Sequence, residues 1–146
     1  MNLPEYVTRE EVKRVCRELG IRDWTALSTT DVLPEEAQLL QDLVGAEATQ
    51  ITAAAFQRGL EVELEHGLEF SDANVTNNHP ILTAKIVLAH LKEMLDYYER
   101  LEVAELEGDL LKALIAGDLK KARSKAAALA VARRGLALRE QEQLAA

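Results

Sequence analysis

EVELEHG (Glu61–Gly67), a polar loop, and PILTAKIVLAHLKEMLDYYERL (Pro80–Leu101) form the stretch on which the fold turns. Both flanks read as helices, and Pro80 suits a first helical position. All three histidines, His66, His79 and His90, fall inside this stretch. Glu63 and His66 are spaced i,i+3, as are His90 and Glu93, so each pair projects from one helix face. Imidazole and carboxylate bind iron, manganese and zinc in helical bundles, which makes these four side chains a candidate ligand set for one divalent metal. Tyr97, one turn beyond Glu93, would supply an outer hydrogen bond, and Glu65 could join only if its helix end unwinds. The preferred reading is plainer: a polar cluster that fixes the packing of the two helices, because buried polar groups must find partners. An acid–base site without metal is a third reading. His66 ends its helix, whereas His90 lies ten residues into the next, about 15 Å along its axis. The pairs meet only if the loop climbs back beside that helix. A ferritin-like dinuclear centre within one chain is disfavoured, since it needs two further glutamates and a Glu-first order in both pairs. Two chains could still build one across an interface.

The ordered pieces Glu63-Leu64-Glu65-His66-Gly67, Asn74-Val75-Thr76-Asn77-Asn78-His79-Pro80, Thr83-Ala84-Lys85-Ile86, His90-Leu91-Lys92-Glu93 and Asp96-Tyr97-Tyr98-Glu99-Arg100-Leu101 resemble a small domain-of-unknown-function family of bacteria and phages. The resemblance covers the central third of the chain. Two departures stand out: His79 replaces an acidic residue, and Met94-Leu95 replaces a segment that often carries proline, which predicts a straighter helix here. The resemblance implies little chemistry. Its association with virion-morphogenesis genes in phages implies an assembly context.

Working outward, Thr8-Arg9-Glu10-Glu11 is a capping box, opening a helix to Leu19 with Val12, Val15, Cys16 and Leu19 inward and Gly20 as stop. Trp24 anchors the connection Ile21–Thr30. A short helix from Pro34, capped by Thr30 or Asp31, turns Leu39, Leu40, Leu43 and Val44 inward and ends at Gly45. A third spans Thr49 to His66, with Ile51, Ala55, Phe56, Leu60 and Leu64 inward and Gly67 as stop. After the Asx-rich loop Leu68–His79, capped by His79 or Asn78, a fourth helix runs from Pro80 to about Glu107. Gly108-Asp109 separates it from a short helix, Leu110–Ala116. Gly117-Asp118 precedes an alanine-rich helix, Leu119 to about Leu144, with a bend expected at Gly135. Its apolar positions Leu119, Ala122, Ala126, Leu129 and Leu136 show no heptad, so no long coiled coil is expected. The expected architecture is an all-α compact bundle of five or six helices with a central helix pair, one domain over 1–146, residues 118–146 forming a terminal helix that could be an appendage.

The composition agrees, with 48% hydrophobic residues, 4% aromatics, three prolines and seven glycines over 146 residues. One cysteine, Cys16, excludes an intramolecular disulfide and a thiolate-rich zinc site; a buried small hydrophobe is its expected role. MNLPEYVTREEV lacks the basic head and apolar core of a signal peptide, and no apolar run spans a bilayer. A soluble cytoplasmic protein is therefore expected, or a virion component if phage-derived. Net charge is −8, yet residues 118–146 carry seven Lys/Arg against three acids, +4, leaving −12 on residues 1–117. That asymmetry favours self-association or an acidic protein partner over nucleic acid, although the basic helix can equally complement the acidic body of its own chain.

No Gly-rich phosphate loop, Gly-x-Ser-x-Gly elbow, His-Glu-x-x-His helix or helix–turn–helix is present. Tyr97-Tyr98 could stack bases, but Glu93, Asp96 and Glu99 would repel phosphates. No catalytic residue and no organic cofactor site is assigned. The expected function is a non-enzymatic interaction or assembly module. The alternative is a small metal-binding protein, redox-active in one version, that holds Fe, Mn or Zn through Glu63, His66, His90 and Glu93.

Overall fold

A computed structural model describes residues 5–46 and 49–145, and within them six α-helices follow one another with no strand. Met1 to Pro4 of the N-terminal reading lie outside the described residues. The chain divides into two units, one ending at Leu95 and the other starting at Asp96.

In the first unit, Thr8 starts α1 (Arg9–Leu19) by accepting the Glu11 N–H at 3.1 Å. The Glu11 carboxylate turns to Arg14 at 2.6 Å rather than back to the cap. Gly20, at φ 69°, ends the helix in the left-handed conformation that only glycine adopts without cost. Val12, Val15 and Cys16 are buried, and burial pushes the Cys16 thiol up, which keeps it protonated and inert. Trp24, in a 3-10 turn over Trp24–Ala26 capped by Asp23, is fully buried, as its anchoring role requires.

The cap of α2 (Pro34–Leu43) is neither Thr30 nor Asp31 but Leu33. Its N–H is taken by the carboxylate of Glu36 at 3.2 Å, half of a capping box. Leu39 and Leu43, expected inward, are exposed, and Glu36, Ala37, Leu40 and Gln41 form the buried face. Glu36 can be buried because Arg22 meets it with a two-pronged guanidinium, Nε at 3.0 Å and Nη2 at 2.6 Å, and adds its backbone N–H at 3.1 Å. Burial alone would push the Glu36 carboxyl up; Arg22 and the two N–H donors outweigh it and hold the group below the usual carboxylate range. Gln41 donates to the Ile51 carbonyl at 3.1 Å, so both buried polar side chains of α2 are satisfied.

Thr52 caps α3 (Ala53–Glu69), which starts later and ends later than its expected Thr49–His66. Gln57 and Glu61, one turn apart, grip the extended strand-like segment at Val32 by its carbonyl (2.7 Å) and its N–H (3.2 Å). His79 caps α4 (Pro80–Glu93): its Nδ1 accepts the Leu82 N–H at 3.4 Å, and its carbonyl accepts the Thr83 hydroxyl at 3.0 Å. α3 and α4 are the central pair of this unit, with α2 against both and α1 against α4.

The continuous helix expected from Pro80 to Glu107 is interrupted. Met94 is extended (φ −149°, ψ 126°), and a new helix, α5 (Tyr97–Ile115), begins behind Asp96. The start of α5 is held by one local and one distant partner. Asp96 is 1% exposed, and its carboxylate is held by Arg100 at 2.8 Å and by Gln143 at 3.1 Å, forty-seven residues away. The break expected at Gly108-Asp109 is absent, because α5 is bound on both sides of it by α6 (Leu119–Ala145). Asp109 pairs with Lys125 at 2.6 Å and Glu107 with Arg133 at 2.6 Å, tying α5 to α6 on either side of the glycine. The turn at Gly117 (φ 68°) is where it was expected, with Asp118 accepting the Lys121 N–H, and α6 continues through Gly135.

α5 and α6 form an antiparallel hairpin with a coiled-coil seam. Glu99, Val103, Leu106, Leu110 and Ala113 face Ala122, Lys125, Leu129, Ala132, Leu136 and Arg139, each set at alternating three- and four-residue steps. The heptad is invisible to an apolar-only reading of α6 because Lys125 and Arg139 occupy seam positions. They are paired with Asp109 and Glu99 of α5, and Arg100 pairs with Glu140 at 2.8 Å. The basic helix thus complements acids of its own chain.

Glu36→Ala should destabilise the protein by roughly 2–4 kcal/mol, below the value for a fully buried pair because Arg22 is 36% exposed. Urea unfolding followed by Trp24 fluorescence measures it, and a loss within about 0.5 kcal/mol would show that Arg22 finds equivalent solvation without its partner.

Candidate functional site on the α3–α4 pair

Glu63 stands on the second-last turn of α3 and His90 on the last turn of α4, and the two meet at 3.6 Å between Oε1 and Nε2. That distance is long for a hydrogen bond and suits an ion pair when the imidazole carries a proton. The side chains are 18% and 30% exposed, so the pair sits at the edge of the core rather than within it.

The other two candidate ligands are carried apart by helix direction. In this antiparallel pair Glu63 lies level with His90, so each three-residue step moves the two chains in opposite directions. His66 steps toward the connecting loop, whereas Glu93 steps away from it, leaving them roughly 9 Å apart along the helices. A shared four-ligand set would need Glu63 level with Glu93 and His66 level with His90. Both His66 and Glu93 are exposed, and among the described residues no three His, Cys, Asp or Glu side chains gather closely enough to hold a metal ion. Glu65 also faces solvent. Tyr97 belongs to α5 and packs edge-to-face on Tyr98, with ring centroids 5.2 Å apart.

What forms instead beside Glu63 and His66 is a cavity of about 290 Å³ between the last turns of α3, the following loop and Ile86 of α4. Its shape depends on Gly67. This glycine was expected to stop α3, but it lies inside the helix, and its lack of a side chain admits the loop. A Cβ there would stand 2.1 Å from Asn78 Oδ1 and 2.7 Å from Asn74 Nδ2. Asn74 donates to the Gly67 carbonyl at 3.2 Å and to Asn78 Oδ1 at 2.8 Å, while Thr76 donates to Asn74 at 3.2 Å. Asn77 and Asn78 both adopt positive φ, 49° and 60°, a conformation asparagine tolerates better than most residues. Asn77 then reaches back to the Val7 carbonyl at 2.6 Å, tying the loop to the segment before α1. The loop is therefore set by side-chain hydrogen bonds at both ends.

The cavity mouth is apolar and its surroundings are acidic. Phe70 is 49% and Val75 83% exposed, and Ile86 completes the rim. Sequence reasoning did not single out these three; large apolar residues inside and beside an Asx-rich loop were the available signal. Glu61, Glu63, Glu65, Glu69 and Asp72 surround the cavity in sequence, and no Lys or Arg occurs between Arg58 and Lys85. This site offers an apolar recess within a negative field, suited to an apolar group flanked by positive charge.

Gly67→Ala should force Asn74 and Asn78 out of place and lower stability by about 1–3 kcal/mol, against the roughly 1 kcal/mol that alanine would otherwise add to a helix. Thermal unfolding tests this. A higher melting temperature would show that the loop closes without the close approach.

No curated protein and no solved structure matches the chain. Residues 12–107, spanning most of α1, all of α2 to α4 and the first part of α5, match the family described as a protein of unknown function, DUF5661, and the chain belongs to that family.

Proposed function

We propose that the protein is a non-enzymatic helical module that works by association, with copies of itself or within a larger complex. The observation that supports this reading most directly is the surface of the α5–α6 hairpin. Leu111, Leu114, Ile115 and Leu119 cluster around the Gly117 turn and are 59%, 54%, 78% and 67% exposed. Apolar residues scattered singly on a surface need no explanation, but four large ones at one helix-hairpin tip form the kind of patch that marks an interaction site. Asp96, Arg100, Asp109 and Lys125 are engaged within the hairpin, whereas apolar area at its tip supplies the main driving force for contact. Sedimentation velocity over a range of concentrations tests the reading. A sedimentation coefficient that rises with concentration, and persists in molar salt, is expected; a monomer at the highest soluble concentration would overturn self-association.

A second reading, one divalent metal (Fe, Mn or Zn), draws on the Glu63–His90 pair. Two protein ligands would leave the remaining positions to water, so binding would be weak and reversible. Zinc titration followed by the NMR signals of the His90 ring should shift them in the wild type and much less in a Glu63→Gln variant; unshifted His90 signals at saturating zinc would dismiss this reading.

A further inference from the structure

We infer that the hairpin tip of one copy docks on the α3–α4 cavity of a second copy, an inference that rests on the self-association proposed above. The two surfaces complement each other in shape class and in charge. The tip is an apolar knob, Leu114, Ile115 and Leu119 foremost, with exposed Lys120, Lys121 and Arg123 immediately behind it. The cavity is a recess rimmed by Phe70, Val75 and Ile86 and lined also by Glu63 and His66, and the exposed Glu65, Glu69 and Asp72, each next in sequence to a lining residue, add negative charge to the same segment. Aliphatic side chains at the tip fit a recess of about 290 Å³, while the basic residues fall on the acidic collar. The tip's own repulsion argues against tip meeting tip: two copies of Lys120, Lys121 and Arg123 would be brought together across a like-with-like contact. Knob and recess are different patches of one molecule, so the contact is heterologous; it builds a reciprocal dimer, a ring or an open chain according to the angle it sets.

Two variants of the full chain separate this arrangement from others. Leu114→Asp/Ile115→Asp spoils the knob, and Glu69→Lys/Asp72→Lys turns the collar against it. All four positions are exposed, and circular dichroism checks that both variants fold. Each alone should lose self-association by about thirtyfold or more, the size of a central contact at an interface. Mixed in equal amounts, they should associate again as a one-to-one pair, because the collar variant keeps an intact knob and the knob variant keeps an intact recess. A wild type that associates while the mixture stays monomeric would overturn the knob-in-recess contact and leave the assembly reading standing. A wild type that never associates would overturn both.

Discussion

A carboxylate taken out of water must be met on every side, and in the first unit that constraint falls on Glu36. Its partners are three groups from two residues: the guanidinium and N–H of Arg22 in the connection after α1, and the N–H of Leu33 at the start of α2. Satisfying one buried charge therefore sets where the connection runs and where α2 begins. The same connection is gripped further along by Gln57 and Glu61 of α3 at Val32, so α3 is positioned against it by two more polar contacts. α4 then packs on α3, and the cavity between the end of α3 and its loop follows from that placement. Removal of the Arg22–Glu36 pair would leave the apolar contacts of Leu40, Leu60 and Val87 in being but without the polar fastening that fixes their register.

The candidate site shows how helix direction governs which side chains can cooperate. Two i,i+3 pairs on neighbouring helices look like four converging ligands when each helix is considered alone. Antiparallel packing lets one member of each pair meet, Glu63 with His90, and sends the others in opposite directions. The space beside the meeting point is filled by the loop rather than by ligands, through the close approach that Gly67 allows to Asn74 and Asn78. The result is a recess with an apolar rim in an acidic stretch of the chain.

In the second unit an apolar seam is interrupted by charge. Asp96, Glu99, Asp109, Lys125 and Arg139 lie along or beside the seam between α5 and α6, where they pair with one another or with neighbours on the facing helix. Ion pairs of this kind contribute modestly to stability where they are half exposed, but they specify which helix faces fit together. Large apolar residues also stand exposed at the hairpin tip, Leu111, Leu114, Ile115 and Leu119, and along α6, Val131 and Leu138.

Features set by neighbouring residues were legible in the amino-acid sequence alone. Thr8 starts α1 and Gly20 ends it, His79 and Pro80 open α4, and Gly117 makes the hairpin turn, because a cap or a left-handed glycine acts within one helical turn of itself. Composition likewise determined the all-helical class, and the i,i+3 spacings placed Glu63 and His90 on neighbouring helices. Only the tertiary structure decided what those residues do. Asp96, at the start of α5, is held by Gln143 of α6 as well as by Arg100; Asp109 and Glu107, on either side of Gly108, are paired with α6; Gly67 serves close approach rather than a helix stop; His66 and Glu93 diverge because their helices run in opposite directions. Each outcome turns on partners brought together from distant parts of the chain, or on the relative direction of two helices, and no window of local sequence contains that information.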